Sequence, residues 1–110
     1  MKISVIMPVF NEERTLMTIL DRVQAVPIDK EIIIVDDCSV DGTRRLLSTI
    51  TSKEIRLYFH EKNQGKCAAV RTALPHVTGD IIIIQDGDLE YDPADYPKLI
   101  QPILERQADV

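Results

Sequence analysis

The chain alternates between short apolar runs and segments whose apolar residues recur every third or fourth position. Lys2 to Met7 carries Ile3, Val5 and Ile6 and ends at Pro8, a residue tolerated at strand ends but not inside a sheet. Glu31 to Val35 and Ile81 to Ile84 are β-branched runs, the pattern of strands buried on both faces between helix layers. Ile55, Leu57 and Phe59 alternate with other residues instead, which predicts an edge strand with one wetter face. Leu16, Ile19, Leu20 and Val23 follow the i, i+3, i+4, i+7 spacing of an amphipathic helix that Pro27 stops. Asn11 is its expected N-cap, with Glu12 and Glu13 in the positive first turn. Leu46, Leu47 and Ile50 mark a second helix, and Cys67, Val70 and Leu74 a third that ends near Pro75 and Gly79. Asp92-Pro93 opens a fourth, with Leu99, Ile100, Ile103 and Leu104 on its apolar face and Pro97 and Pro102 shortening or bending it.

The order βαβαβαβα predicts an α/β fold: a doubly wound, mostly parallel sheet with helices on both faces, in one domain over residues 1–110. All strands of such a sheet end on one rim, where open α/β sheets keep their ligands. That rim gathers Pro8, Val9, Phe10, Asn11 and Glu12 after the first strand, Asp36-Asp37 after the second and Asp86-Gly87-Asp88 after the fourth. Asp86 and Asp88 repel each other unless a cation bridges or neutralises them. Hard oxygen ligands at i, i+2 suit Mg²⁺ or Mn²⁺, with Glu90 a further candidate ligand; the bland alternative is a solvated acidic turn. Asp36 and Asp37 can accept hydrogen bonds from a nucleobase or a ribose hydroxyl. Gly65 turns the chain before a helix start, where Lys66 and helical N–H groups can meet a phosphate.

Simpler roles are expected elsewhere. Asp41 or Ser39 caps the second helix, and Arg71 covers the surface of the third. His60 and His76 have no partner suggested by spacing and read as structural or surface residues. Cys38 and Cys67 read as buried small apolar groups.

Composition narrows the picture further. A net charge of −5 without a basic run excludes a general nucleic-acid binder. Two cysteines outside any metal-ligand spacing do not make a disulfide scaffold. A strand pattern follows Met1 at once, and no apolar run approaches the roughly 20 residues of a membrane span, so a soluble cytoplasmic protein is expected.

Four motifs occur in register: Pro8-Val9-Phe10-Asn11-Glu12, Asp36-Asp37-Cys38-Ser39-Val40-Asp41-Gly42-Thr43, Asn63-Gln64-Gly65-Lys66, and Asp86-Gly87-Asp88-Leu89-Glu90-Tyr91-Asp92-Pro93. With them the whole chain resembles the N-terminal part of a family 2 glycosyltransferase with the GT-A fold. The nearest branch is the dolichyl-phosphate or polyprenyl-phosphate mannosyl- and glucosyltransferases. The resemblance implies that the first loop, with Asp36 and Asp37, holds the base and ribose of a UDP- or GDP-hexose. It implies that Asp86 and Asp88 bind Mg²⁺ or Mn²⁺ and, through it, the diphosphate. Relatives often carry glutamine at the position of Glu90, and the acidic side chain departs from that pattern.

The implied reaction is hexose transfer to a lipid phosphate or another acceptor, in relatives that associate with membranes when full length. Such transferases are longer, so the expectation is a nucleotide-binding part whose acceptor half and catalytic base lie beyond residue 110. A homo-oligomer through an exposed sheet edge or apolar face is the companion expectation. A non-catalytic nucleotide-binding or assembly module is the alternative. A signalling receiver fits poorly, because its acidic pair belongs after the first strand.

Overall fold

The apolar runs become parallel strands. The computed structural model describes residues 2–85 together with Pro93 and Tyr96. Its elements are β1 (Ile3–Val9), α1 (Leu16–Ala25), β2 (Lys30–Asp36), α2 (Thr43–Ser48), β3 (Ile55–Phe59), α3 (Lys66–Ala73), a 3-10 turn (Leu74–His76) and β4 (Ile81–Ile84). The sheet order is β3-β2-β1-β4 with every pairing parallel, the doubly wound arrangement expected from the sequence. The fourth helix expected after Asp92 lies outside the described residues, apart from Pro93 and Tyr96.

Side-chain alternation along the two central strands divides the core. Ile3, Val5, Met7, Val9, Ile32 and Ile34 share one cluster with Leu16, Ile19, Leu20 and Val23 of α1 and Leu47 of α2. Ile6, Ile33 and Val35 face the other way, onto Ala69 and Ala73 of α3. Each fully buried aliphatic side chain contributes about 1.5–3 kcal/mol, so β1 and β2 are the energetic centre. Lys30 closes the α1–β2 connection: its ammonium donates to the carbonyls of Val26 (2.7 Å) and Ile28 (3.3 Å) just past the negative end of α1.

Several local expectations change. The isoleucine run is not buried on both faces: Ile81 and Ile83 pack on the α1 side, whereas Ile82 and Ile84 are 45% and 47% exposed. The reason is position, since α3 packs over β1 and β2 while β4 pairs, among the described residues, only with β1. β3 takes the opposite edge, as its alternation predicted.

Pro8 lies inside β1 rather than past its end. Backbone groups alternate along a strand; Val9 accepts from Asp37 on the β2 side and Ile6 accepts from Gln85 on the β4 side. Pro8 therefore turns its missing donor toward β4, where, among the described residues, pairing ends at Ile6 and Ile84. The third helix buries Ala68, Ala69 and Ala73, not Cys67 and Leu74, because small side chains let it lie close on the sheet. Cys67 is exposed and Cys38 is partly so. Asn11 is not a cap: α1 begins at Leu16 after Thr15, and Asn11 takes a left-handed φ of 52° in the loop before it.

At the rim opposite the strand C-termini, a buried carboxylate ties distant segments together. Glu31 Oε2 accepts from the Ser4 hydroxyl (2.6 Å) and the Thr78 N–H (2.6 Å), and Ser4 Oγ accepts from the Gly79 N–H (2.8 Å). Burial pushes the Glu31 carboxyl up, but the bonds from Ser4 and Thr78 and the charge of Lys2 hold it below the ordinary range. Gly79 is needed for the close approach, since a Cβ there would stand 2.6 Å from Ser4 Oγ and 2.9 Å from the Lys2 carbonyl oxygen. Ser4→Ala strips partners from both Glu31 and Gly79. Equilibrium urea unfolding is expected to show a loss of about 1–3 kcal/mol.

Candidate functional site

Adjacent residues of a strand point to opposite faces, and the Asp36-Asp37 pair at the end of β2 is split by that rule. Asp36 points toward α2 and has no exposed surface. Its carboxylate accepts from the Ser39 hydroxyl, from the Ser39 N–H (3.1 Å) and from Arg44 Nε (2.7 Å). Arg44 reaches on to the His60 carbonyl (2.7 Å) and lies 5.3 Å from the centre of the Phe59 ring. The hydrogen bond to Asp36 raises the guanidinium's affinity for its proton. Both Asp36 oxygens are thus engaged by the chain itself.

Asp37 points the other way, toward α3. Its N–H continues the β1–β2 ladder by donating to the Val9 carbonyl (2.8 Å). Oδ1 accepts from the Gln64 N–H (2.8 Å) and meets His60 Nδ1 (2.8 Å), and Oδ2 accepts from the Gly65 N–H (2.8 Å). Asn63 Nδ2 donates to the Asp37 carbonyl (3.2 Å). Burial pushes this carboxyl up; the bonds from Gln64, His60 and Gly65 and the charge of His60 outweigh it and hold the group below the ordinary range. Asp37 is therefore a carboxylate at neutral pH, 4% exposed, with acceptor capacity left on Oδ2.

The turn before α3 is built around that carboxylate. Gly65 has φ 95° and ψ 164°, a region open essentially to glycine alone. No atom stands within 4 Å of where its Cβ would be, so the constraint is torsional and not steric. Lys66 is the first residue of α3 and is exposed.

The first loop is tied to the loop after β2. The Asn11 N–H donates to Ser39 Oγ (2.9 Å), and Asn11 Oδ1 accepts from the Val40 N–H (2.8 Å). The Glu12 N–H donates to Thr43 Oγ1 (2.9 Å), and the Glu12 carboxylate accepts from Thr15 Oγ1 (3.2 Å). Asp41 accepts from the Thr43 N–H (2.9 Å) at the start of α2, whereas Ser39 serves Asp36 and Asn11 and does not cap. Pro8 and Val9 are buried in β1; Phe10 is 43% exposed at its end.

The rim thus brings together Phe10, Asn11, Glu12, Asp36, Asp37, Gly65 and Lys66 at the ends of β1 and β2 and the start of α3. Asp86, Asp88 and Glu90, the expected metal ligands, lie outside the described residues. Among the described residues no three His, Cys, Asp or Glu side chains cluster as a metal site. The hydrogen-bonding roles of Ser39, Thr43, Arg44 and His60 at the rim were not foreseen. His60 had a signal, since it directly follows β3 and the rule that strand ends share a rim applies to it as well. His60 is 7% exposed, and its Nε2 lies 2.7 Å from Thr72 Oγ1; His76 stacks on Tyr58 with ring centroids 4.3 Å apart.

Residues 4–110 match the family described as Glycosyl transferase family 2, and the chain belongs to it. It is 30% identical to the dodecaprenyl-phosphate galacturonate synthase of Rhizobium johnstonii, over 100% of this chain and 35% of that protein. Residues 1–349 of S. aureus TarS in complex with UDP superpose with a TM-score of 0.82 at 25% identity, covering 97% of this chain and 33% of that one. The mannosyltransferase PcManGT from Pyrobaculum calidifontis, in complex with GDP-Man and Mn²⁺, gives a TM-score of 0.72 at 31% identity over 84% of this chain and 29% of that one. These are GT-A glycosyltransferases, and the four-stranded parallel sheet is that fold's. The chain spans about a third of the length of the curated relatives it matches. No helix among the described residues is long and apolar enough to cross a membrane.

Asp37 and Asp41 are both held below the ordinary carboxylate range, Asp41 by bonds from Thr43 and Glu13 that outweigh its burial. A depressed native value means that the unfolded chain binds protons first as pH falls. Their contribution is therefore complete above the unfolded value of about 4 and is lost as pH drops through the lower native values. The melting temperature is expected to change little between about pH 7 and 5 and to fall steeply below about pH 4. Asp41→Asn should flatten that acid limb in a thermal melt series.

Proposed function

We propose that these 110 residues are the nucleotide-sugar-binding N-terminal part of a transferase that moves a hexose from a UDP or GDP donor to a lipid phosphate. The acceptor-binding half is assigned to the remainder of such an enzyme. The observation that carries the reading is Asp37, a nearly buried carboxylate clamped by the turn before α3, with an acceptor position remaining on Oδ2. Such a group suits a nucleobase N–H or a ribose hydroxyl, and its rigidity keeps the ordering cost of binding low. Phe10 offers an aromatic face at the end of β1 for the base to stack on. Pro8 and Val9 carry that loop from inside the sheet, Asn11 and Glu12 shape it, and Asp36 with Arg44 braces the wall behind it. Gly65 and Lys66 place backbone and charge at the start of α3, where a diphosphate suits the helix terminus.

Asp86 and Asp88 follow Gln85, whose N–H donates to the Ile6 carbonyl at the same rim. Their oxygen donors suit Mg²⁺ or Mn²⁺, with Glu90 a further ligand. When bound, that cation supplies positive charge to the diphosphate leaving group. Solved relatives hold UDP, or GDP-Man with Mn²⁺, and a curated relative is named for a dodecaprenyl-phosphate product, which supports donor class, cation and acceptor class alike.

Calorimetry with UDP and with GDP, each in Mn²⁺ and in EDTA, tests the reading. One nucleotide is expected to bind with Mn²⁺ and weakly without it; no binding of either would overturn the proposal. Asp37→Asn should weaken the preferred nucleotide about tenfold or more, the scale of a hydrogen bond to a charged group. Asp88→Asn should abolish the difference between Mn²⁺ and EDTA.

A further inference from the structure

His60 is nearly buried at the end of β3, and both of its ring nitrogens are engaged. The carboxylate decides where one proton points. Asp37 Oδ1, 2.8 Å from Nδ1, belongs to a carboxylate and can only accept, so Nδ1 donates to it. Thr72 Oγ1 lies 2.7 Å from Nε2 and 3.0 Å from the Ala68 carbonyl one helical turn back, and its hydroxyl can serve either one. The ring fills the gap between the Asp37 carboxylate and the middle of α3.

The backbone of His60 is equally constrained. Its N–H donates to the Asp36 carbonyl (2.8 Å), and its carbonyl accepts from Arg44 Nη2 (2.7 Å). The residue cannot shift along β3 without breaking ties to both members of the acidic pair. Donors from His60 and Gln64 occupy Oδ1, and a single donor from Gly65 occupies Oδ2. The bond from Nδ1 prevents the carboxylate from rotating, so the remaining acceptor position stays on the Oδ2 side.

We propose that His60 is a positioning residue for the nucleoside: its Nδ1 hydrogen bond locks the rotation of the Asp37 carboxylate and so presents Oδ2 to the donor. This rests on the reading of Asp37 as a nucleoside contact. It adds a residue that touches no ligand and acts through another side chain.

The test compares partial replacements at one position in the intact chain, read by calorimetry with UDP and GDP in Mn²⁺. His60→Asn keeps an N–H near the place of Nδ1 and loses the reach to Thr72; His60→Gln does the reverse; His60→Leu loses both. Binding is expected to weaken about tenfold in His60→Gln and His60→Leu and to stay within about threefold of the wild type in His60→Asn, following the hydrogen bond to the charged partner. Urea midpoints measured alongside identify losses that come from unfolding alone, and a purely structural His60 would make affinity follow those midpoints instead. In the unliganded wild type, long-range ¹H–¹⁵N correlation of the His60 ring should show hydrogen on Nδ1. A ring with a bare Nδ1, or equal affinities for the Asn and Gln variants, overturns the proposal. If Asp37→Asn leaves binding unchanged, the reading of Asp37 fails; if it weakens binding while all three His60 variants match the wild type, the role of His60 alone fails.

Discussion

Placing two neighbouring carboxylates at the end of a fully buried strand is costly unless each finds its own partners. The period of two along β2 separates them, one to each face of the sheet. Asp36 is matched by an arginine from α2 and by the hydroxyl and amide of Ser39, Asp37 by a histidine just after β3 and by amides before α3. Much of the rim follows from that division. Arg44 fixes the approach of α2, the Asp37 carboxylate fixes the turn at Gly65, and Ser39 passes a further bond to Asn11 in the first loop.

The two halves of this network meet at one residue. His60 carries the Arg44 contact on its carbonyl, the Asp36 contact on its amide and the Asp37 contact on its ring. The segments after β2 and β3 are thereby coupled by hydrogen bonds, and Ser39 extends the coupling to the loop after β1. Phe10 stands at the end of β1 as a partly exposed aromatic side chain, 43% open to solvent.

Much of the fold was legible because strand and helix periods are strong local signals. The parallel order, the edge position of β3 and the shared rim all followed from them. Misreadings arose where position in the sheet outweighs composition. Four isoleucines cannot reveal that α3 lies over β1 and β2 and leaves Ile82 and Ile84 exposed, and Cys67 and Leu74 hid an alanine face that packs more closely. At the site, carboxylate pairs and the glycine turn stood out by type. Their roles did not: the split between Asp36 and Asp37 depends on which face each occupies, and the partners Arg44 and His60 are 8 and 23 residues away from the carboxylates they serve.

The two ends of β2 bear different burdens. At its start Glu31 joins β1 to the segment leading into β4, and at its finish the acidic pair organises the rim. Both are buried polar ties, yet a strand of seven residues keeps them apart and they share no partner. Changes at sites this distant usually add independently. The two polar networks are thus separate design variables in this domain, one adjustable around Ser4 and the other around the loops that Asp36 and Asp37 hold.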